Sequence, residues 1–241
     1  DGPHGVRAEI NWNDWGYAGW TNDSCTAFPA LTCLAASWNP LLAAKYGYAI
    51  GEEARYREKD VLLGPGVNIY RTPLNGRNFE YMGEDPYLAS ELCVPYIQGV
   101  QKNGVAACVK HYALNNQELW RGHIDVQLSD RALYEIYLPA FKAAVERGKA
   151  WSIMGAYNKV RGTHATHHKL LNNDILKGEW NFDGCVITDW GAAHDTYEAA
   201  MYGLDIEMGS YTNGLTSESE FGYDDYYLGK SYLKMVRFRW K

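Results

Sequence analysis

No stretch of about 18 apolar residues occurs in the 241-residue chain, so a membrane-spanning helix is not expected and no membrane partner is read. No basic run tracks one face and the formal charge is −6, so nucleic acid is not expected as a partner either. No GxGxxG follows an apolar run, which removes the usual cradle for a dinucleotide. Cysteine is sparse: there are five, an odd number, and no two have CxxC spacing. No zinc set is visible, so neither a metal nor a cofactor is expected. Cys33, Cys108 and Cys185 sit in apolar runs and read as buried, reduced thiols, which favours a reducing, cytoplasmic setting. The first residue is Asp, and no signal peptide can be read. Disordered and collagen-like classes are excluded by a composition that is 46% hydrophobic and 22% charged with 24 Gly and 8 Pro.

Aromatic residues are abundant: 19 Tyr, 9 Trp and 6 Phe. Core packing is their first reading, and stacking on sugar rings the second. Short apolar runs alternate with helical patterns. Strands are predicted over 31–35, 61–69, 106–112, 153–157, 185–188 and 204–208. Some are near-continuous apolar runs, as in strands buried on both faces. Helices are predicted over 40–59, 86–103, 129–147, 173–180 and 193–202. Asp85 with Pro86 and then Ser129 are helix starts, and Gly148 is a left-handed helix end. Strand–helix alternation of this kind predicts parallel strands with helices outside. The length suits most of an α/β (β/α)8-type TIM barrel, with a doubly wound sheet as the alternative. Beyond Gly209 the rhythm stops, which divides the chain into a barrel domain over 1–209 and an irregular linker or arm over 210–241 that packs on a second domain or chain.

Asp1, Lys110 with His111, Tyr157 and Asp189 are each read at or just past the C-terminal end of an apolar run, the face on which parallel barrels build active sites. In GCVITDWGA (184–192) an apolar strand delivers Asp189 to its end, where it could serve as a nucleophile if nearby cations keep it ionised. The plainer reading is a helix N-cap. In CVKHYALNNQE (108–118), Lys110 and His111 are good donors to vicinal hydroxyls, or a salt-bridged Lys and a satisfied His. In GPGVNIYRTPLNGRNFEYMGEDP (64–86), Arg77 and Glu80 lie three apart. An Arg held by a carboxylate makes a fork for hydroxyls, or simply a structural ion pair.

Taken in order, DGPHGVR (1–7), the 64–86 segment, KHYALNNQE (110–118), SIMGAYNKVRG (152–162) and GCVITDWGA resemble glycoside hydrolase family 3, in its multidomain β-glucosidase branch. The resemblance covers roughly residues 1 to 215. It implies that Asp189 is the nucleophile of a retaining double displacement. It implies that Asp1 grips the outer hydroxyls of the sugar, and that Arg77, Lys110 and His111 bind hydroxyls in the same subsite. Arg7 and Arg121 match further cationic positions near it. Tyr157 matches a tyrosine beside the nucleophile, and Trp190 an aromatic floor for the sugar.

The implied activity is an exo-acting β-glycosidase, β-glucosidase first, on a β-glucoside or short β-gluco-oligosaccharide. Alternatives are a β-xylosidase, a mixed-specificity glycosidase, a catalytically incomplete sugar-binding barrel, or a cofactor-dependent barrel enzyme, which the missing phosphate loop disfavours. KHYALNNQE departs from the segment of the family's N-acetylglucosaminidase branch, which sets that branch aside. In β-glucosidase-like members the general acid/base is a Glu from an α/β sandwich domain. No such domain is read here, so the acid is expected from another domain or chain. The family's usual strand–helix unit ahead of DGPHG is also not read, and the expectation is a barrel incomplete at its N-terminal end.

Overall fold

The computed structural model describes residues 2–7, 24–208 and 226–239. Its centre is a four-stranded sheet in the order β1-β2-β4-β7, made of β1 (Val61–Leu62), β2 (Ala106–Tyr112), β4 (Ser152–Gly155) and β7 (Cys185–Thr188). Every neighbouring pair is parallel. A parallel bridge from Ile187 to Ile206 adds the next segment of chain to the edge. A smaller three-stranded sheet joins β3 (Asp125–Val126), β5 (Lys159–Val160) and β6 (Thr163–His164). The architecture is α/β with a parallel sheet. Among the described residues that sheet is open, so a closed barrel is not part of what they show.

Helices fill the crossovers. α2 (Pro40–Tyr56) starts on Asn39, whose side chain accepts from the Leu42 N–H. α3 (Pro86–Gln101) starts on Asp85, which accepts from the Tyr87 N–H. Both helices have Pro in the first turn, where its missing N–H costs nothing. The expected long helix over 129–147 begins at Ser129 as read but is broken. α4 (Asp130–Ala132) passes into a π turn (Leu133–Tyr137), and α5 (Pro139–Glu146) restarts at a proline. A Pro cannot donate back along a continuous helix and crowds the preceding turn. Lys169–Glu179 is π-helical, and α6 (Thr196–Met201) follows β7.

Five other expectations are corrected. Residues 31–35 are not a strand but lie in α1 (Leu31–Ala36), with Leu31, Leu34 and Ala35 buried. That spacing is a helical stripe, which a six-residue apolar run hides. The predicted strand 61–69 is laddered only at Val61–Leu62 and bridged again at Gly66, because Pro65 has no N–H to give. The left-handed residue after α5 is Lys149, not Gly148. Gly148 is needed for space, since a Cβ there would stand 2.7 Å from the Ala144 carbonyl oxygen. Cys33 and Cys185 are exposed, whereas Cys93 and Cys108 are buried, and these four thiols are free. Within the stretch read as an irregular arm, Tyr227–Ser231 and α7 (Tyr232–Arg239) are helical. Tyr227 and Leu228 pack on the main core.

That core lies between the sheet and the helices and is rich in aromatics. Tyr81, Tyr96, Tyr112 and Phe141 are among its largest fully buried side chains. Tyr112 meets Phe141 edge-on at 5.1 Å between centroids. α2 and α3 cross in near backbone contact through Gly47 and Gly99. A Cβ on Gly47 would fall into the Tyr96 carbonyl, and one on Gly99 would lie 2.5 Å from that of Ala44. Gly47→Ala is therefore expected to destabilise the protein by about 2 kcal/mol through overpacking against backbone that cannot turn aside. Gly122→Ala, which meets open space, should stay within about 0.5 kcal/mol of wild type. Equal urea midpoints for the two variants would refute this account of the crossing.

Candidate active site

Because the strands are parallel, their C-terminal ends share one edge, and the loops leaving it meet. Near its C-terminal end β2 carries Lys110 and His111, both buried. A register shift between Val109 and Tyr112 against β4 interrupts strict alternation, so consecutive residues serve one site. Lys110 is tied to the loop after β1 by its N–H to the Pro65 carbonyl (3.0 Å) and by its carbonyl from the Val67 N–H (2.8 Å). His111 is held at its backbone by the buried Asn68, which accepts from the His111 N–H at 2.8 Å and donates to its carbonyl at 2.9 Å. A side chain thus substitutes for a neighbouring strand.

The loop that follows carries Arg77. Two short 3₁₀ turns, Pro73–Asn75 and Asn78–Glu80, flank Gly76, whose φ of 98° suits a residue without a Cβ. Arg77 binds Glu80 through two parallel bonds, Nε to Oε1 at 3.1 Å and Nη2 to Oε2 at 2.8 Å. Lys110 Nζ lies 3.4 Å from the same Oε2. On its other side Arg77 Nη1 is 3.5 Å from Glu118 Oε1, and Arg121 Nη1 is 2.5 Å from Glu118 Oε2. The Arg121 guanidinium stacks 4.2 Å above the centroid of the Tyr157 ring. Tyr157 stands just past β4 and hydrogen-bonds Asp189.

Asp189, the residue after β7, is 6% exposed. Its Oδ1 accepts from the Trp190 N–H at 2.9 Å, and its Oδ2 is 3.5 Å from His111 Nε2. The structure therefore brings together Arg77, Lys110, His111, Arg121, Tyr157 and Asp189. Trp190 attaches through its backbone and leaves its ring 41% exposed. Arg7 is exposed on the segment 2–7. That segment adjoins the cluster, for the His4 ring feels the charges of Glu80 and Lys110. Asp1 lies outside the described residues. Sequence reasoning missed Asn68 and Tyr81, whose hydroxyl is 3.0 Å from His111 Nδ1. The lone polar residue between Val67 and Ile69 was a signal for Asn68. No local pattern marked Tyr81 among its aromatic neighbours.

Burial shapes each charge. It raises the Asp189 pKa above the ordinary 3.8, against the Trp190 N–H and the charges of Lys110 and Arg77. It lowers that of Lys110, opposed by Glu80. It drives His111 well below 6.5, helped by Lys110, Arg77 and Arg121, so the ring is neutral. Burial also pushes Glu80 up, but its bond to Arg77 and the charge of Lys110 outweigh this, and its pKa falls below 4.5. Three carboxylates thus face three cations around one neutral imidazole. No group of three or more His, Cys, Asp or Glu among the described residues is arranged to hold a metal.

A carboxyl with a lowered folded pKa stabilises fully above its unfolded value and stops doing so as pH falls through the folded one. Glu80→Gln should therefore cost about 3 kcal/mol or more at pH 7, since it strands Arg77 and Lys110. The deficit should shrink below about pH 4.5, where wild-type Glu80 itself takes up a proton. Urea titrations at pH 7 and pH 3 check this; an unchanged deficit would refute it.

With this geometry in hand, comparison with known proteins is informative. The model of the glycosyl hydrolase family 3 N terminal domain matches residues 13–208. The chain is 45% identical over 219 residues to thermostable beta-glucosidase B of Acetivibrio thermocellus, covering 90% of this chain and 29% of that protein. It is 46% identical over 218 residues to an exo-alpha-(1->6)-L-arabinopyranosidase of Bifidobacterium longum, covering 88% and 28%. The structure of beta-glucosidase 3B from Thermotoga neapolitana in complex with glucose superposes with a TM-score of 0.83 at 42% identity, covering 91% of this chain and 30% of that one. The chain spans less than a third of each of these relatives.

Proposed function

The chain belongs to glycosyl hydrolase family 3, and we propose that it forms the nucleophile-bearing part of a retaining, exo-acting β-glycosidase, a β-glucosidase first. The observation that carries this is Asp189, a buried carboxylate at a strand end with one oxygen pinned by a backbone N–H and the other 3.5 Å from His111 Nε2. In this reading residues 1–209 form a (β/α)8-type barrel, and 210–241 pass to or pack on a further domain.

Asp189 attacks the anomeric carbon, the bond to the leaving oxygen breaks, and a glycosyl ester forms. Water then attacks the same carbon and frees both sugar and carboxylate, retaining configuration. Lys110, Arg77 and His111, with Asp1, grip the hydroxyls of the terminal sugar. Arg7 and Arg121 add positive potential, Tyr157 orients the nucleophile, and the open Trp190 ring offers a face to the sugar. Burial raises the Asp189 pKa, while the Trp190 N–H and the charges of Lys110 and Arg77 oppose that rise and favour its ionised form.

The leaving oxygen needs a proton. Glu80 and Glu118 do not suit this, because both are clamped by guanidinium groups, and Glu80 is held well ionised. The acid/base Glu is assigned to another domain or chain over the same edge of the sheet. The arabinopyranosidase among the relatives favours a second reading, in which a pentopyranoside is accepted as well as or instead of a glucoside. Comparing kcat/KM for nitrophenyl glucoside, xyloside and arabinopyranoside decides between them.

Asp189→Ala should lower turnover of an aryl glucoside by several orders of magnitude with the fold intact. A 2-deoxy-2-fluoro glucoside with a good leaving group should leave a sugar adduct on the peptide containing Asp189 in the wild type and none in the variant. The acid limb of kcat/KM should lie above pH 3.8, because protonating a carboxyl whose pKa is raised disarms it early. Near wild-type turnover by Asp189→Ala would remove the assignment.

A further inference from the structure

We infer that His167 is a positioning residue, whose bare Nε2 holds the loop carrying Asp189 against the exit of β4. The kinetic consequence rests on the active-site reading above; the contact itself does not. His167 ends the 3₁₀ turn Ala165–His167 that follows β6 and is 1% exposed. Its Nε2 accepts from the backbone N–H of His194 at 3.2 Å, beyond Asp189 on the same loop. Its Nδ1 lies 2.8 Å from Oε2 of Glu198, which is in the first turn of α6.

A backbone N–H can only donate, so the contact with His194 is a hydrogen bond only if Nε2 is unprotonated. Burial lowers the His167 pKa to about 4, so at neutral pH the ring carries one proton. That proton is on Nδ1, the nitrogen beside the Glu198 carboxyl group. Both neighbours of the ring therefore belong to the segment that follows β7. A second contact runs alongside. His164 Nδ1 donates to the Tyr157 carbonyl at 3.1 Å, and the His164 ring stacks on that of His194 at 3.8 Å between centroids. Histidines thus clasp the exit of β4, where Tyr157 stands, to the exit of β7, where Asp189 stands. The Asp189 carboxylate takes its orientation from the Trp190 N–H, a peptide of the clasped loop. The β7 ladder fixes the near end of that loop, and His167 holds its far end.

Two substitutions separate the acceptor from the bulk of the side chain. Gln can set its amide oxygen about where Nε2 stands, so His167→Gln keeps an acceptor for the His194 N–H and His167→Leu does not. In protein labelled with ¹⁵N-histidine, long-range ¹⁵N–¹H spectra at pH 7 should show His167 protonated on Nδ1 and bare on Nε2, the signal being assigned by its loss in His167→Gln. A proton on Nε2 overturns the proposal. Hydrogen exchange of the His194 amide should quicken about tenfold in His167→Leu and stay within about threefold of wild type in His167→Gln. For an aryl glucoside, kcat should fall about tenfold in His167→Leu with KM changed less than about twofold, and Gln should restore it to within about threefold of wild type. Equal kcat in the two variants, both near wild type or both impaired, means that the acceptor does not position the nucleophile, and the proposal fails. Should His167→Leu not fold, a tenfold loss of kcat in His167→Gln overturns it alone. If Asp189→Ala keeps wild-type turnover, the active-site reading fails instead, and the clasp still stands or falls by the spectra and the exchange.

Discussion

Every feature of the site depends on the need to neutralise charges taken out of water. An ion of carboxylate or ammonium size costs several kcal/mol to bury even after the protein relaxes. Lys110, nine-tenths or more buried, and Arg77, mostly covered, meet that cost through Glu80, which both of them share. Glu118 does the same between Arg77 and Arg121. The arrangement is a chain of alternating charges, and its last free member is Asp189. Removing any link leaves a stranded charge rather than a cavity, which is why the loop 64–82 and the end of β2 behave as one unit.

Parallel strands deliver that unit. A parallel ladder puts every C-terminal strand end on one edge, so residues distant in sequence, such as Lys110, Tyr157 and Asp189, meet without a long excursion of the chain. The ladder alone would leave His111 pointing the wrong way, because alternation sends neighbours to opposite faces. The register shift after Val109 and the two hydrogen bonds from Asn68 resolve this. Asn68 does for the His111 peptide what an adjacent strand would have done, at the point where strand pairing stops.

Much of this was legible in the residues. β2 and β7 coincide with the strands predicted over 106–112 and 185–188, because both are built on apolar runs of strand length. Asp85 and Ser129 were read as helix starts because a short acceptor side chain before a helical pattern has little else to do there. The failures have two causes. Leu31–Ala36 is decided by what the segment packs against, because a six-residue apolar run carries too few turns to reveal its period, whereas the break before Pro139 and the short ladder before Pro65 come from prolines inside apparently continuous patterns. At the site, Arg77 with Glu80 could be paired from spacing alone. The sharing of Glu80 with Lys110, and the Tyr81–His111 contact across 30 positions, are products of tertiary folding that no local pattern encodes.

The neutrality of His111 is the step that lets the rest function. A protonated imidazole here would add a fourth positive charge beside Arg77, Lys110 and Arg121 and would pair directly with Asp189. An ion pair at that position would satisfy the carboxylate and, in the function proposed here, blunt it as a nucleophile. The same cations that keep Asp189 ionised also hold the proton off His111. The cations thus act on both groups: they oppose the rise that burial gives the Asp189 pKa, and they add to the burial that keeps His111 uncharged. A carboxylate left with one oxygen pinned by a backbone N–H and the other beside a neutral ring retains a lone pair to offer to an electrophilic carbon.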